Sequence, residues 1–493
     1  MGNARARRIP AQLVEDEDYQ LRHERVAGID VAKAKADVCT RLPPARDGGR
    51  RRSRVEDSVP ATAAAIWALA GRLLADRVEL VVMEATSDYW RIWFYLLEAA
   101  GLTVQLANPS QARQLAGRPK TDRLDAQWIA RLAEMGLLRP SFVPPPQIRA
   151  LRDLTRARVR LVRDRTRQWQ RLEKLLEGAL VKLSSAVSSL ARTKTARAIL
   201  EALADGERDP KALAALADPH VKGGRAAIEE SLAGMTLAAC HPMLIRLHLD
   251  HITLLDRQIS ALDDEIEAAL EAIPAARGVG ADGVPSADPG PGAAVLPADR
   301  RLAEIPGVSL ELARAIIAET GLDMTRFPTA AHLASWAGLA PAARQSGPRT
   351  RKPAKGKGDA YLKGHCTQAA AGAAKTDTFL GERLRRLSRK LGGTRARCAV
   401  GRSILVIIWH LLADPEARFA DLGPDWHQRK TDRDRKTRTH LRGLQALGYT
   451  VTLTPAAENP NPRPPGPQPT TPRAPKPRPR SVTDSHGQAM SMA

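Results

Sequence analysis

The chain has 493 residues, enough for two or three domains rather than one. Its 76 Lys and Arg against 54 Asp and Glu leave a net charge of +22. That is more than solubility requires, and it points to a polyanionic partner, nucleic acid first, although GC-rich codon usage is a second source of arginine. With 43% hydrophobic residues the composition excludes wholesale disorder. Cys39, Cys240, Cys366 and Cys398 lie far apart without a CxxC pair, which excludes a zinc ribbon or disulfide scaffold and fits a reducing cytoplasm. No apolar run follows the cations of the N-terminus, and Ile404 to Trp409, the most apolar stretch, is too short to span a bilayer. A soluble protein without a membrane partner is expected.

After a basic tail over 1–20, residues 21–140 alternate strand-like and helix-like segments. Val26 to Val31 is a short apolar strand carrying Asp30, with Asp37 to Leu42 and Arg52 to Val55 as its neighbours. A helix follows over Ala61 to Ala75, then a buried strand over Val78 to Met83 that delivers Glu84 at its end. Tyr89 to Ala100 reads as an amphipathic helix and Leu102 to Ala107 as another strand, so the block is an α/β domain with a mixed sheet.

Residues 145–273 read as a helical, coiled-coil arm. From Arg149 to Lys174 ten cations face only three acids, a compatible nucleic-acid surface that includes Arg152, Arg156 and Arg163. Ile252, Leu255, Ile259, Leu262 and Ile266 step by 3 and 4, the spacing of a helical seam. The seam pairs either two subunits or two helices of one chain. Residues 274–299, rich in Pro, Gly and Ala, read as a flexible linker, and 300–415 as a mostly helical domain. A basic extension over 416–454 combines a helix with a short strand at Thr450 to Leu453. Eleven of the 36 prolines fall in 455–493, a tail too polar to pack.

Four acids stand out by position. Asp30 and Glu84 sit at strand ends, where a carboxylate is costly to desolvate without compensation. Asp122 and Asp125, three residues apart at the start of a helix, project from one face. Such a set can hold two Mg²⁺ ions for phosphoryl transfer, with Lys120 beside it as a phosphate contact or a neutralising cation. Singly, each acid also reads as an ordinary strand end or helix cap.

Here the motifs reach a family. Gly28-Ile29-Asp30-Val31, Glu84-Ala85-Thr86-Ser87-Asp88-Tyr89-Trp90, Asn108-Pro109 and Lys120-Thr121-Asp122-Arg123-Leu124-Asp125-Ala126 closely resemble the DEDD transposases of the insertion sequence 110 family. The resemblance implies an RNase H-like fold of the RuvC type, with Asp30, Glu84, Asp122 and Asp125 as a tetrad binding Mg²⁺ or Mn²⁺. Ser87 departs from the glycine common after the threonine.

In the second half, Glu304-Ile305-Pro306-Gly307-Val308-Ser309 and the helix after it resemble a helix-hairpin-helix, in which Gly307 lets backbone N–H groups approach a phosphate. A Pro-Gly turn between packed helices has the same pattern. Further on, Gln345-Ser346-Gly347 precedes Arg349, Arg351, Lys352, Lys355 and Lys357, so a loop serine lies beside five cations. Ser309, Ser335, Ser388 and Ser403 compete with it as nucleophile. The order IPGV, RF, AGLAP, QSG and Lys357-Gly358-Asp359 follows the C-terminal transposase domain of the same family, and by that resemblance Ser346 is the nucleophile. Ser309 and Asp359 replace the usual Gly and Asn.

The resemblance therefore implies a DNA transposase and site-specific recombinase of an insertion sequence, cutting and rejoining element ends and target. It further implies a homo-oligomer with a composite site, a bridge RNA as guide, and action in the bacterial cytoplasm at the nucleoid. A junction-resolving nuclease that uses water, and a decayed nucleic-acid-binding protein, are the rival readings.

Overall fold

The computed structural model describes residues 21–44, 52–84, 87–107, 122–221, 223–290, 292, 294–340, 345–346, 349–350, 358–429 and 433–453. The chain divides into two units, Met1–Pro424 and Asp425–Ala493. In the first, β1 (Val26–Val31), β2 (Lys35–Leu42) and β3 (Ser53–Pro60) form an antiparallel meander. β4 (Leu80–Glu84) and β5 (Val104–Ala107) continue the sheet parallel to β1, and β6 (Pro140–Ser141) closes it antiparallel. The order β3-β2-β1-β4-β5-β6 is a mixed sheet, the α/β arrangement expected for this block.

Strand alternation sorts side chains between two faces. Ile29, Val31, Val81 and Met83 pack under α1 (Ala63–Ala75) and α2 (Trp90–Ala99). Val26, Leu80 and Val82 pack under α3 (Asp122–Glu134) on the other face. Thr62, whose hydroxyl accepts from the Ala65 N–H, caps the start of α1.

The arm pairs two long helices, α4 (Pro146–Gly178) and α9 (His241–Glu271). Between them lie α5 (Leu183–Ala186), α6 (Lys194–Asp205), α7 (Pro210–Ala215) and α8 (Gly224–Leu232). Arg158 pairs with Asp263, and Arg165 with Asp256 at 2.5 Å, so the long helices run antiparallel. Ile252, Leu255, Ile259 and Ile266 are buried within the chain, which makes the seam an internal helix pair. Met243, Leu247 and Leu254, on the opposite face of α9, are exposed.

Within 274–299 all residues but 291 and 293 are described. Pro274–Ala276 forms a 3-10 turn, and β7 (Gly278–Val279) pairs with β8 (Pro285–Ser286). Proline and glycine set backbone angles for turns as readily as they loosen a linker, and Ala276 is buried against the next domain.

That domain comprises α10 (Ala298–Ala303), α11 (Leu310–Thr320), α12 (Ala330–Trp336), a hairpin of β9 (Gln345–Ser346) with β10 (Arg349–Thr350), α13 (Ala360–Ala373), α14 (Phe379–Leu391) and α15 (Gly393–Ala413). By length and composition α15 could cross a membrane, but Val400, Ile404, Leu405 and Ile408 on it are fully buried in the domain core. In the second unit, α16 (Trp426–Arg429) and α17 (Arg433–Ala446) are helical, and Thr450–Leu453 forms no strand. Its hydroxyl-bearing and apolar residues have strand propensity, but among the described residues no strand pairs with them.

An aspartate at Leu255 leaves an unpaired charge between α4 and α9, a loss of about 3 kcal/mol or more. Leu255→Asp is expected to lower the melting temperature while light scattering records an unchanged mass before unfolding.

Candidate functional site

The acidic residues converge through strand register. β1 and β4 run parallel with Ile29 opposite Met83, which sets Asp30 beside Glu84 at their carboxyl ends. By alternation both share the face of Val82, the one that carries α3. Glu84 is buried, 3% exposed, and Asp30 half-buried. In open α/β sheets this end of the strands is where ligands bind.

Gly28 brings the helix there. A Cβ at Gly28 would fall within 3.0 Å of Ala126 O, Ala130 N and Ala130 Cα, so α3 lies directly on β1 at that point. The Arg22 and His23 N–H groups bond Glu134 O, at 2.8 and 3.2 Å, which fixes the far end of α3 next to the start of β1. The helix therefore runs against the strand, and its first turn, with Asp122 and Asp125, lies at the end that carries Asp30 and Glu84. Asp125 is half-buried. The Asp122 side chain and Lys120 lie outside the described residues, among which no group of three metal-ligating side chains is gathered.

Ser346 lies on β9, with Arg349 of β10 as its register partner. Their side chains, and all of Arg351, Lys352, Lys355 and Lys357, lie outside the described residues. The stems of this loop touch each other: a Cβ at Gly358 would lie within 3.0 Å of Gly338 N and of Ala337 C and O. Asp359 then caps α13, accepting from the Leu362 N–H at 2.8 Å. The structure thereby gives a role to both ends of the AGLAP-to-KGD interval.

Three cations expected at nucleic acid have partners within the chain. Arg152 donates to Ala318 O at 3.0 Å and Glu319 O at 2.6 Å. Arg156 makes a two-bond fork to the Glu319 carboxylate, at 2.8 Å each, and reaches Asp359 at 3.3 Å. Arg156 and Arg163 also sit 4.5 and 5.8 Å from the centre of the Tyr361 ring. Glu319 is 1% exposed, and burial raises its pKa despite the Arg156 hydrogen bond that lowers it. Sequence reasoning passed over Glu319, although an acid closing the apolar run Ala315 to Ala318 was its visible signal. Glu134, buried between Arg41 at 2.9 Å and Arg52 at 2.8 Å, was missed in the same way.

Gly307, at φ +88°, has the space of its missing Cβ filled by Ala369 O and Ala373 N of α13. Close helix packing accounts for this glycine without a phosphate. Ser309 caps α11, its hydroxyl accepting from the Leu312 N–H at 3.3 Å, and Ser403 donates to Ala399 O at 3.3 Å. Two of the four rival serines, Ser309 and Ser403, thus have structural roles.

Residues 27–181 match a family model for DEDD transposases of the IS110 type, described as a transposase. Residues 299–382 match the transposase IS116/IS110/IS902 family. None of the curated proteins matches the chain. Among solved structures it is similar to RuvC of Thermus thermophilus, at 18% identity over 24% of this chain and 99% of that one, with a TM-score of 0.19. The same protein in complex with a Holliday junction substrate matches at 20% identity over 24% and 100% of the two chains, again at 0.19.

Gly28→Ala should push α3 off β1, costing about 1–3 kcal/mol in denaturant titration. On α13, the pKa of His365 is pushed down to about 4, chiefly by burial, with Arg163 and Arg156 lowering it further and Asp359 opposing. The unfolded chain takes up the proton near the ordinary value of 6.5, so stability present at neutral pH is lost as pH falls from 6.5 toward 4. His365→Gln should flatten that part of the melting-temperature profile, a difference of about 3 kcal/mol at most.

Proposed function

We propose, for a chain that carries both domains of an IS110-family transposase, a site-specific DNA recombinase whose Ser346 attacks a DNA phosphate at a metal-binding acidic tetrad. The observation that carries this reading is the meeting of Asp30 and Glu84 at the ends of adjacent parallel strands, on the face where α3 begins with Asp122 and Asp125. Four carboxylates are hard oxygen donors, the set that Mg²⁺ and Mn²⁺ take. When bound, such ions polarise the scissile phosphate and offset charge on its oxygens.

In the step proposed, the Ser346 Oγ–P bond forms as the bond from phosphorus to the leaving deoxyribose oxygen breaks. The serine proton ends on that oxygen. One phosphodiester replaces another, so attack by a new strand's hydroxyl reverses the step and rejoins DNA without ATP. Arg349, Arg351, Lys352, Lys355 and Lys357 are the cations available to hold the phosphate. A guide RNA and a composite site between subunits complete the proposal, with action on nucleoid DNA in the cytoplasm. The exposed Met243, Leu247 and Leu254 face of α9 is one surface among the described residues that could serve subunit pairing.

Ser346→Ala is expected to keep fold and DNA binding while losing cleavage by roughly 10³-fold or more, together with the covalent protein–DNA adduct. Asp30→Asn should lose cleavage and the rise in melting temperature on adding Mg²⁺. Metal-dependent nicking by Ser346→Ala at the normal rate, with no adduct in the unaltered protein, would make water the nucleophile and the protein a resolving nuclease.

A further inference from the structure

The second domain contains a cleft that the proposed chemistry does not use. It has a volume of about 980 Å³ and lies between α14, α15 and the segment 417–422. Its rim includes Gly338 to Ala340, the point from which the chain departs toward Ser346. This volume suits a ligand of one or a few rings.

The walls combine two chemistries. Val406, Ile407, Phe379 and Phe419 supply an apolar floor with two aromatic rings. Arg383, Arg395 and Arg402 line the same space, and among the described residues none of the three has a carboxylate partner. The Arg383 Nε is buried without a hydrogen-bond partner among those residues, which is costly unless an acceptor arrives. Burial and the nearby Arg386 also hold its pKa below the usual arginine value, so an incoming anion would relieve both effects. Asp421, the one acid among the described residues lining the cleft, is turned to the backbone, accepting from the Phe379 and Gly423 N–H groups at 3.1 Å each. Cations without counter-charge call for an anion, and the apolar floor with its rings calls for a flat, weakly polar body attached to it.

We propose that this cleft holds an unstacked nucleotide of a DNA strand, its base on the apolar floor beside Phe419 and its phosphate on Arg383, Arg395 and Arg402. Single strands are held in this way, by cations along the backbone and rings under the bases. A duplex keeps its bases stacked and cannot fill the floor. Placed at the root of the Ser346 loop, the cleft anchors the strand next to the phosphate to be cut. The inference rests on the chain being a DNA transposase but not on Ser346 being the nucleophile.

Cys398 lines the cleft and reports its occupancy, Cys39 and Cys366 being buried. In full-length Cys240→Ser protein carrying Ser346→Ala, in EDTA, alkylation of Cys398 by a fluorescent maleimide is followed with a 20-nucleotide DNA strand, the matching duplex, or the same sequence in RNA. The expected result is a slowing of about tenfold with the DNA strand and little with the duplex. Arg383→Ala and Arg402→Ala should each weaken strand binding about tenfold and lower the salt slope by about one. Arg383→Lys guards against a variant that fails to fold, since it keeps the charge and should retain most of the protection. An unchanged alkylation rate at saturating DNA overturns the proposal, as does equal protection by duplex. Protection by RNA alone overturns the assignment to DNA. Because no cleavage is read, a failed Ser346 mechanism leaves this outcome unaffected.

Discussion

One helix, α4, joins the parts of the first unit. Arg149 near its start pairs with Glu98 at 2.6 Å and stacks 4.1 Å from the Tyr95 ring, which ties it to α2 of the sheet domain. Ile148 and Leu151 enter the core of the C-terminal domain, and Leu172 and Leu176 that of the arm. Arg152 and Arg156 then close on Glu319. A helix of 33 residues is a rigid rod of about 50 Å, so a small tilt where it is anchored displaces its far end by several times as much.

The Glu319 junction shows what such an arrangement costs. Bringing a carboxylate and two guanidinium groups out of water is expensive, and the pair attraction offsets it only with good geometry. The two-bond fork of Arg156 supplies that geometry, and the Ala318 and Glu319 carbonyls of α11 accept from Nε and Nη2 of Arg152. The junction leads through Asp359 to the start of α13 and so to one end of the serine loop.

Much of this was legible in the sequence, for reasons that differ by residue. The strands of the first domain carry short apolar runs with acids at their ends, and the family motifs mark Asp30, Glu84, Asp122, Asp125 and Ser346 as the residues of the proposed site. Helix partners were not legible. The seam at Ile252 to Ile266 has the same 3-and-4 spacing whether its partner is another subunit or α4, and only tertiary packing separates the cases. The arginines of α4 illustrate the reverse limit. As a run they read as a surface for nucleic acid, whereas Arg152 and Arg156 meet a buried glutamate more than 160 positions away, a pairing that no local pattern encodes. Gly307 fits a phosphate turn and a turn between packed helices alike, because glycine serves close approach of any backbone, a helix included.

The close approach of Gly358 to Ala337 and Gly338 has a consequence for how the serine loop can change over evolutionary time. Because the two ends are held together by backbone packing, the span between them is a closed loop whose closure cost grows only with the logarithm of its length, by about 0.6 kcal/mol per doubling. Residues can be gained or lost inside it without moving α12 or α13. The domain can therefore take up new loop sequences while its folding stability hardly changes.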